Sequence, residues 1–79
     1  LRSLWRDGII VLDDDELESV MRMLARWYDV TYEWKGDRGE RHTFTGRINR
    51  NDDLASVLSM LTLLGGPRFE IKGTTVYIY

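Results

Sequence analysis

The sequence predicts an α+β domain with the order β-α-β-β-α-β-β. It reads as two pseudo-symmetric βαβ halves whose two helices are sandwiched between two small sheets. The first observation behind this is an internal repeat. Shifted by thirty-seven positions, residues 15–34 fall on residues 52–71. Asp15, Leu17, Ser19, Val20, Met23, Leu24 and Glu33 then meet Asp52, Leu54, Ser56, Val57, Met60, Leu61 and Glu70 as identities. Met21 with Leu58, Glu16 with Asp53 and Tyr32 with Phe69 are near-matches, and the likeness runs past the helix into a strand. The second observation is the width of the apolar arcs. Leu17, Val20, Met21, Met23, Leu24, Ala25, Trp27 and Tyr28 spread over about 200° of the first helix at ~100° per residue. The second helix is apolar over an arc at least as wide, with Leu63 on its polar side. A helix that covers one sheet needs a stripe of only ~100°, so both helices read as touched on two sides. A split-βαβ layout with a single sheet is the alternative.

Taken in order, Trp5-Arg6-Asp7-Gly8 reads as a turn. Residues 9–12 are an apolar run closed by Gly8 and an acidic cluster, which is a buried-strand pattern. Asp13, Asp14 and Asp15 follow as N-cap candidates, with Glu16 three after Asp13 as in a capping box. The first helix is expected over 15–28. Residues 30–34 alternate, with Val30, Tyr32 and Trp34 on one side, and form a strand. Residues 35–40 carry two glycines and four charges and read as a loop. Residues 41–48 alternate again, with His42, Phe44, Gly46 and Ile48 on one side. Asn51 or Asp52 is expected to cap a second helix that reaches Leu64, where Gly65-Gly66-Pro67 stops it. Residues 68–72 and 75–79 are strands joined around Gly73 as a hairpin.

Seventy-nine residues make a single domain over 1–79. A domain this small buries only about 60% of its unfolded surface, and three Trp, four Tyr and two Phe supply the large apolar bodies it needs. The net charge of −2 argues against a nucleic-acid footprint, which wants a basic face. The absence of cysteine excludes disulfides, thiol nucleophiles and thiolate metal sites. No apolar run reaches the length of a membrane span, and no signal peptide is visible. Because the sequence opens at Leu1 rather than at a methionine, it is expected to be a fragment of a longer protein.

No catalytic constellation stands out, and the chain reads as a non-enzyme with no cofactor, metal or small-molecule substrate. The run Asp13-Asp14-Asp15-Glu16 lacks the alternating spacing and central glycine of a calcium loop. Its charges suit a helix N-terminus instead. His42 is the single histidine, with no Ser, Cys or carboxylate at a useful spacing, and reads as a packing or surface residue. Gly36-Asp37-Arg38-Gly39 matches a GxxG phosphate clamp in letters, but strands rather than helices flank it. Arg38, Arg41, Arg47 and Arg50 form a mid-chain basic cluster, of which Arg41 and Arg47 are the candidates for meeting an acidic partner patch.

A small sandwich has open sheet edges, and an edge strand accepts a partner strand by β-augmentation. The alternating, aromatic segment 75–79 is the candidate for this, with Thr75, Tyr77 and Tyr79 on one side and Val76 and Ile78 on the other. The competing reading is that this strand simply completes a sheet.

These pieces together resemble a known family. Trp5-Arg6-Asp7-Gly8 leads the first strand, Leu17 and Leu24 stand in the first helix, and Arg26-Trp27-Tyr28-Asp29-Val30 follows it. Phe44-Thr45-Gly46, then Leu54, Val57, Leu58 and Leu61, then Phe69, Glu70, Ile71, Gly73, Val76 and Ile78 complete the pattern. Over nearly its whole length the chain resembles the C-terminal domain of FecR-like anti-sigma factors of the Bacteroidetes type. The resemblance implies a fold similar to the short N-terminal domains of secretins and TonB-dependent receptors, with two helices between two small sheets. It also implies a periplasmic domain of an inner-membrane, single-span protein. Such a domain senses the signalling domain of a TonB-dependent outer-membrane transporter. The relay runs to an extracytoplasmic-function sigma factor, bound by a segment absent from this fragment. The transporter, the sigma factor and the inducing nutrient are not named by the sequence. One alternative is the N-terminal signalling domain of a TonB-dependent receptor or secretin itself. Another is a KH-like or ferredoxin-like nucleic-acid-binding module. An acylphosphatase-like enzyme is weaker still, since no Gly-rich anion loop lies near the first strand.

Overall fold

The computed structural model describes residues 8–36, 42–49 and 51–79, together with the backbone of 4–6. Its elements are β1 (Leu4–Arg6), β2 (Ile9–Glu16), α1 (Leu17–Tyr28), β3 (Thr31–Trp34), β4 (Thr43–Asn49), α2 (Leu54–Leu63), β5 (Phe69–Lys72) and β6 (Thr75–Ile78). The expected order is present with one strand added in front. Trp5 and Arg6 belong not to a turn but to β1, which pairs antiparallel with β2 (Trp5 opposite Ile10). Asp7 lies outside the described residues. Gly8 makes the reversal with a left-handed φ of 78°.

The strands form two three-stranded sheets, β1-β2-β4 and β3-β6-β5. This removes the single-sheet alternative, and with it the ferredoxin-like layout. The helices lie between the sheets, and one core draws on all four components: Ile10, Leu12, Phe44 and Ile48 from the first sheet, Val76 and Ile78 from the second, and both helices between them. The two-fold character is visible in the topology. The units β2-α1-β3 and β4-α2-β5 place β2 and β4 antiparallel side by side in one sheet. In the other sheet β3 is parallel and β5 antiparallel to β6, so β3 and β5 run opposite ways on either side of it. β1 and β6 are the two strands without a counterpart.

Three pairs of equivalent helix positions are buried alike, whereas Leu17 is buried and its counterpart Leu54 only partly so. Val20, Met21 and Leu24 of α1 and Val57, Leu58 and Leu61 of α2 are all buried. These fully buried residues span only ~100° of each helix. The wider arc is a flank of half-buried side chains packed on the core, namely Met23, Trp27 and Tyr28 on α1 and Met60 on α2. Trp27 therefore belongs to the rim of the core rather than to its centre.

The acidic run folds differently from the capping box expected of it. Asp13, Asp14 and Asp15 belong to β2, which continues to Glu16. The register slips between Leu12 and Asp15, a β-bulge accommodated by Asp14 at a left-handed φ of 58°. The Asp14 N–H donates to the Thr45 hydroxyl at 3.0 Å. Asp15 is turned inward, 2% exposed, and its Oδ2 accepts the Asp13 N–H at 3.4 Å. Glu16 takes the N-cap position without a side-chain capping bond, and the Leu17 N–H donates to the His42 carbonyl at 3.1 Å. This bond, just beyond the β2–β4 ladder, satisfies one of the free N–H groups at the start of the helix.

The second helix is capped by Asp53, one residue beyond the expected pair, its Oδ1 accepting the Ser56 N–H at 3.3 Å. Asp52 instead accepts from the Asn49 N–H at 3.3 Å. Both helices end alike, with Val30 N–H donating to Ala25 C=O and Gly66 N–H to Leu61 C=O. These six-to-one bonds need a left-handed residue before them, supplied by Asp29 (φ 57°) and Gly65 (φ 101°).

Candidate protein-binding face

The predicted site residues fall on two separate surfaces. Thr75 and Tyr77 stand on the outward side of β6, since Val76 and Ile78 are buried beneath it. Tyr79 follows on the same side. Arg47 is exposed on the outward side of β4, between the buried Phe44 and Ile48. The helix layer separates these two faces, so Arg47 does not join the tyrosines. Arg41, Arg38 and Arg50 lie outside the described residues, as does Asp37-Arg38-Gly39 of the GxxG stretch.

The strand proposed as an open edge is the middle of its sheet. β3 pairs with it on one side and β5 on the other. The bonds can be followed residue by residue. Tyr79 N–H donates to Arg68 C=O, which makes Arg68 and Tyr79 a bonded pair and, by alternation, also Glu70 with Tyr77 and Lys72 with Thr75. On the other side Thr31 N–H donates to Thr74 C=O and Lys35 N–H to Ile78 C=O. The main chain of β6 is thus occupied on both sides, and strand addition there is excluded. The sequence did carry a signal for this. β6 holds no charge, whereas β3 carries Glu33 and β5 carries Glu70 and Lys72, and charged residues are commoner on edge strands than on central ones.

What β6 itself still offers is its side of the sheet's outward face. Tyr77 is half-buried at the centre, opposite Glu33 on β3 and Glu70 on β5. The Lys35 and Lys72 ammonium groups lie 5.2 Å and 5.9 Å from its ring centroid. Lys35 also reaches Glu33 at 3.9 Å. The Tyr79 hydroxyl donates to Glu70 Oε1 at 2.8 Å, and the Arg68 guanidinium lies 4.7 Å from the Tyr79 ring. The bond to Glu70 raises the Tyr79 phenol above its ordinary value, with burial as the next cause. Thr31 and Thr75 place their hydroxyls 3.2 Å apart at one end. The face therefore offers two tyrosines set among three cations and two carboxylates. Tyrosine and arginine are the residue types that anchor protein interfaces.

His42 is half-buried and stacks on Phe44 with centroids 6.5 Å apart. Tyr28 donates its hydroxyl to Asp52 C=O at 2.6 Å, and burial, then the charges of Asp52 and Asp53, raise its phenol. Among the described residues no group of three or more His, Cys, Asp or Glu converges as a metal site, and no helix is long and apolar enough to cross a membrane.

Comparison with known proteins adds two findings. Residues 9–78 match the family described as FecR, C-terminal. The fold superposes with a TM-score of 0.80 on the crystal structure of a candidate anti-sigma factor from Parabacteroides distasonis ATCC 8503, at 19% identity over 91% of this chain. That superposition spans 34% of the other chain, about a third of its length. No curated protein matches the sequence.

Proposed function

Since the chain belongs to the FecR C-terminal family, we propose that it is the periplasmic, signal-receiving module of a membrane-anchored anti-sigma factor. In this reading it binds the signalling domain of a TonB-dependent outer-membrane transporter. It thereby controls an extracytoplasmic-function sigma factor held by another part of the protein. It catalyses nothing. The observation that carries the reading is the family match across 9–78, the whole span from β2 to the end of β6. The same match favours an anti-sigma protein over a receptor's or secretin's own N-terminal domain.

The outward face of β3-β6-β5 is the binding surface in this proposal, with Tyr77 and Tyr79 as anchors and Thr75 at its end. A rigid sheet presents these side chains at fixed spacing, and their existing contacts to Lys35, Lys72, Arg68 and Glu70 lower the entropy lost on binding. The test is isothermal calorimetry with the signalling domain encoded in the same locus, using the parent, Tyr77→Ala, Tyr79→Ala and Arg47→Glu. Tyr77→Ala is expected to weaken binding by tenfold or more, since a central interface tyrosine contributes on the order of 2 kcal/mol. Arg47→Glu, on the opposite surface, should bind as the parent does. Failure of the parent to bind any signalling domain of its locus overturns the function. Full binding by folded Tyr77→Ala and Tyr79→Ala overturns only the face.

A further inference from the structure

The free edge of the second sheet points to a use beyond that function. We propose that two copies of this chain associate by pairing their β5 strands antiparallel, about a two-fold axis at Ile71, so that two three-stranded sheets become one of six strands.

Three features of β5 specify this partner. First, its outer edge is open among the described residues, since the sheet order ends at β5. Because Arg68, Glu70 and Lys72 bond inward to Tyr79, Tyr77 and Thr75, the alternation leaves the N–H and C=O of Phe69 and Ile71 pointing away from β6. A two-fold axis at Ile71 brings its N–H to the C=O of Ile71 in the second copy, and the reverse. Second, Ile71 is 40% exposed although it lies on the inward side of the strand, in register with fully buried Val76. A second copy would cover it with its own Ile71. Tyr32 and Trp34 on the opposite edge strand, β3, are instead already packed against the core.

The third feature is charge. Glu70 and Lys72 flank Ile71 on the outward face. Antiparallel pairing centred on Ile71 sets Glu70 opposite Lys72 of the second copy, and Lys72 opposite its Glu70. Directly opposed unlike charges stabilise a strand pair, and like charges destabilise it. The sequence Glu-Ile-Lys is therefore its own complement at this register. The regular β5–β6 register has no bulge that would twist the edge away.

Self-complementarity gives a sharp test. Sedimentation equilibrium of the parent from micromolar to millimolar concentration should show a reversible monomer–dimer equilibrium. Glu70→Lys alone and Lys72→Glu alone each oppose like charges twice, and each should stay monomeric. Mixed one to one, those two variants regain opposite charges at every pair and should form the heterodimer. Ile71→Pro deletes an outward N–H that no described strand of the same chain uses, so the variant should fold but not dimerise. Circular dichroism confirms folding of each variant. A parent that stays monomeric to millimolar concentration overturns the proposal. So does a dimer that survives Ile71→Pro and both single charge changes, or a mixture that does not associate.

Discussion

Replacing Tyr77 by proline tests the central placement of β6 directly. The Tyr77 N–H faces the Glu70 carbonyl in the β5–β6 ladder, a pairing anchored by the Tyr79 N–H to Arg68 C=O bond of 2.9 Å. Proline removes that donor and puts its ring where β5 lies. Leaving the Glu70 carbonyl without its donor costs about 1–3 kcal/mol. Moving β5 aside adds to this, because Phe69 on the same strand packs against the core. The side chain is a separate loss. The two lysine–ring contacts of 5.2 Å and 5.9 Å are at the surface, where such contacts contribute about 0.5–1 kcal/mol each. Tyr77→Ala measures that loss alone. A 79-residue domain has about 4–12 kcal/mol in all at 0.05–0.15 kcal/mol per residue. Tyr77→Pro is therefore expected to be less stable than Tyr77→Ala by ~3 kcal/mol or more, enough to unfold a parent at the lower end of that range. Urea titration followed by far-ultraviolet circular dichroism gives both numbers. If the proline and alanine variants unfold within about 0.5 kcal/mol of each other, a difference typical of unconstrained surface sites, the Tyr77 N–H is not bonded within the sheet and β6 is not its centre.

Three further outcomes follow from the geometry. A Cβ at Gly66 would stand 2.7 Å from the Leu61 carbonyl oxygen and 3.0 Å from the Phe44 ring, whereas one at Gly46 meets nothing within 4 Å. Gly66→Ala should cost ~1–3 kcal/mol and Gly46→Ala almost nothing, both by urea titration. Trp27→Ala should cost less than the ~3–5 kcal/mol of a fully buried tryptophan, because Trp27 is a half-buried flank residue. Asp53→Ala should lower the thermal midpoint at neutral pH. The bond from Ser56 depresses the Asp53 carboxyl in the folded chain, so its contribution is present above the ordinary carboxylate pKa and disappears as pH falls through the depressed value. The gap between parent and variant should therefore close below pH ~4, and a gap unchanged down to strongly acid pH would refute the cap.

The repeat was legible because a helix core stripe needs apolar residues at fixed positions. Val20 and Val57, Met21 and Leu58, and Leu24 and Leu61 had no freedom to diverge in character. The strands flanking the helices were legible for the same reason. The role of the run from Asp13 to Glu16 was not, because an acidic run suits a helix N-terminus and a bulged strand end equally well. What decides between them is pairing with residues 43–45, some thirty positions away. The candidate face was half legible. Alternation put Thr75, Tyr77 and Tyr79 on one side correctly, but which strand of a sheet is central depends on where a parallel partner docks. Local pattern does not encode that. Lys35, Arg68 and Lys72 escaped notice as neighbours of the tyrosines because they come from two segments, around β3 and β5, that only the sheet unites with β6.

The position of β6 also has a temporal side. Its parallel partnership joins Thr31 to Thr75 and Trp34 to Ile78, so more than half the chain must be looped before that sheet exists. Closing such a loop loses entropy before any contact is gained, and non-local strand pairing slows folding. Nor can either βαβ unit complete its second sheet by itself, because β3 and β5 reach each other only through the strand between them. During synthesis the first half would therefore wait, with Tyr32 and Trp34 uncovered, until the final strand arrives. The domain should consequently appear in one late step rather than half by half.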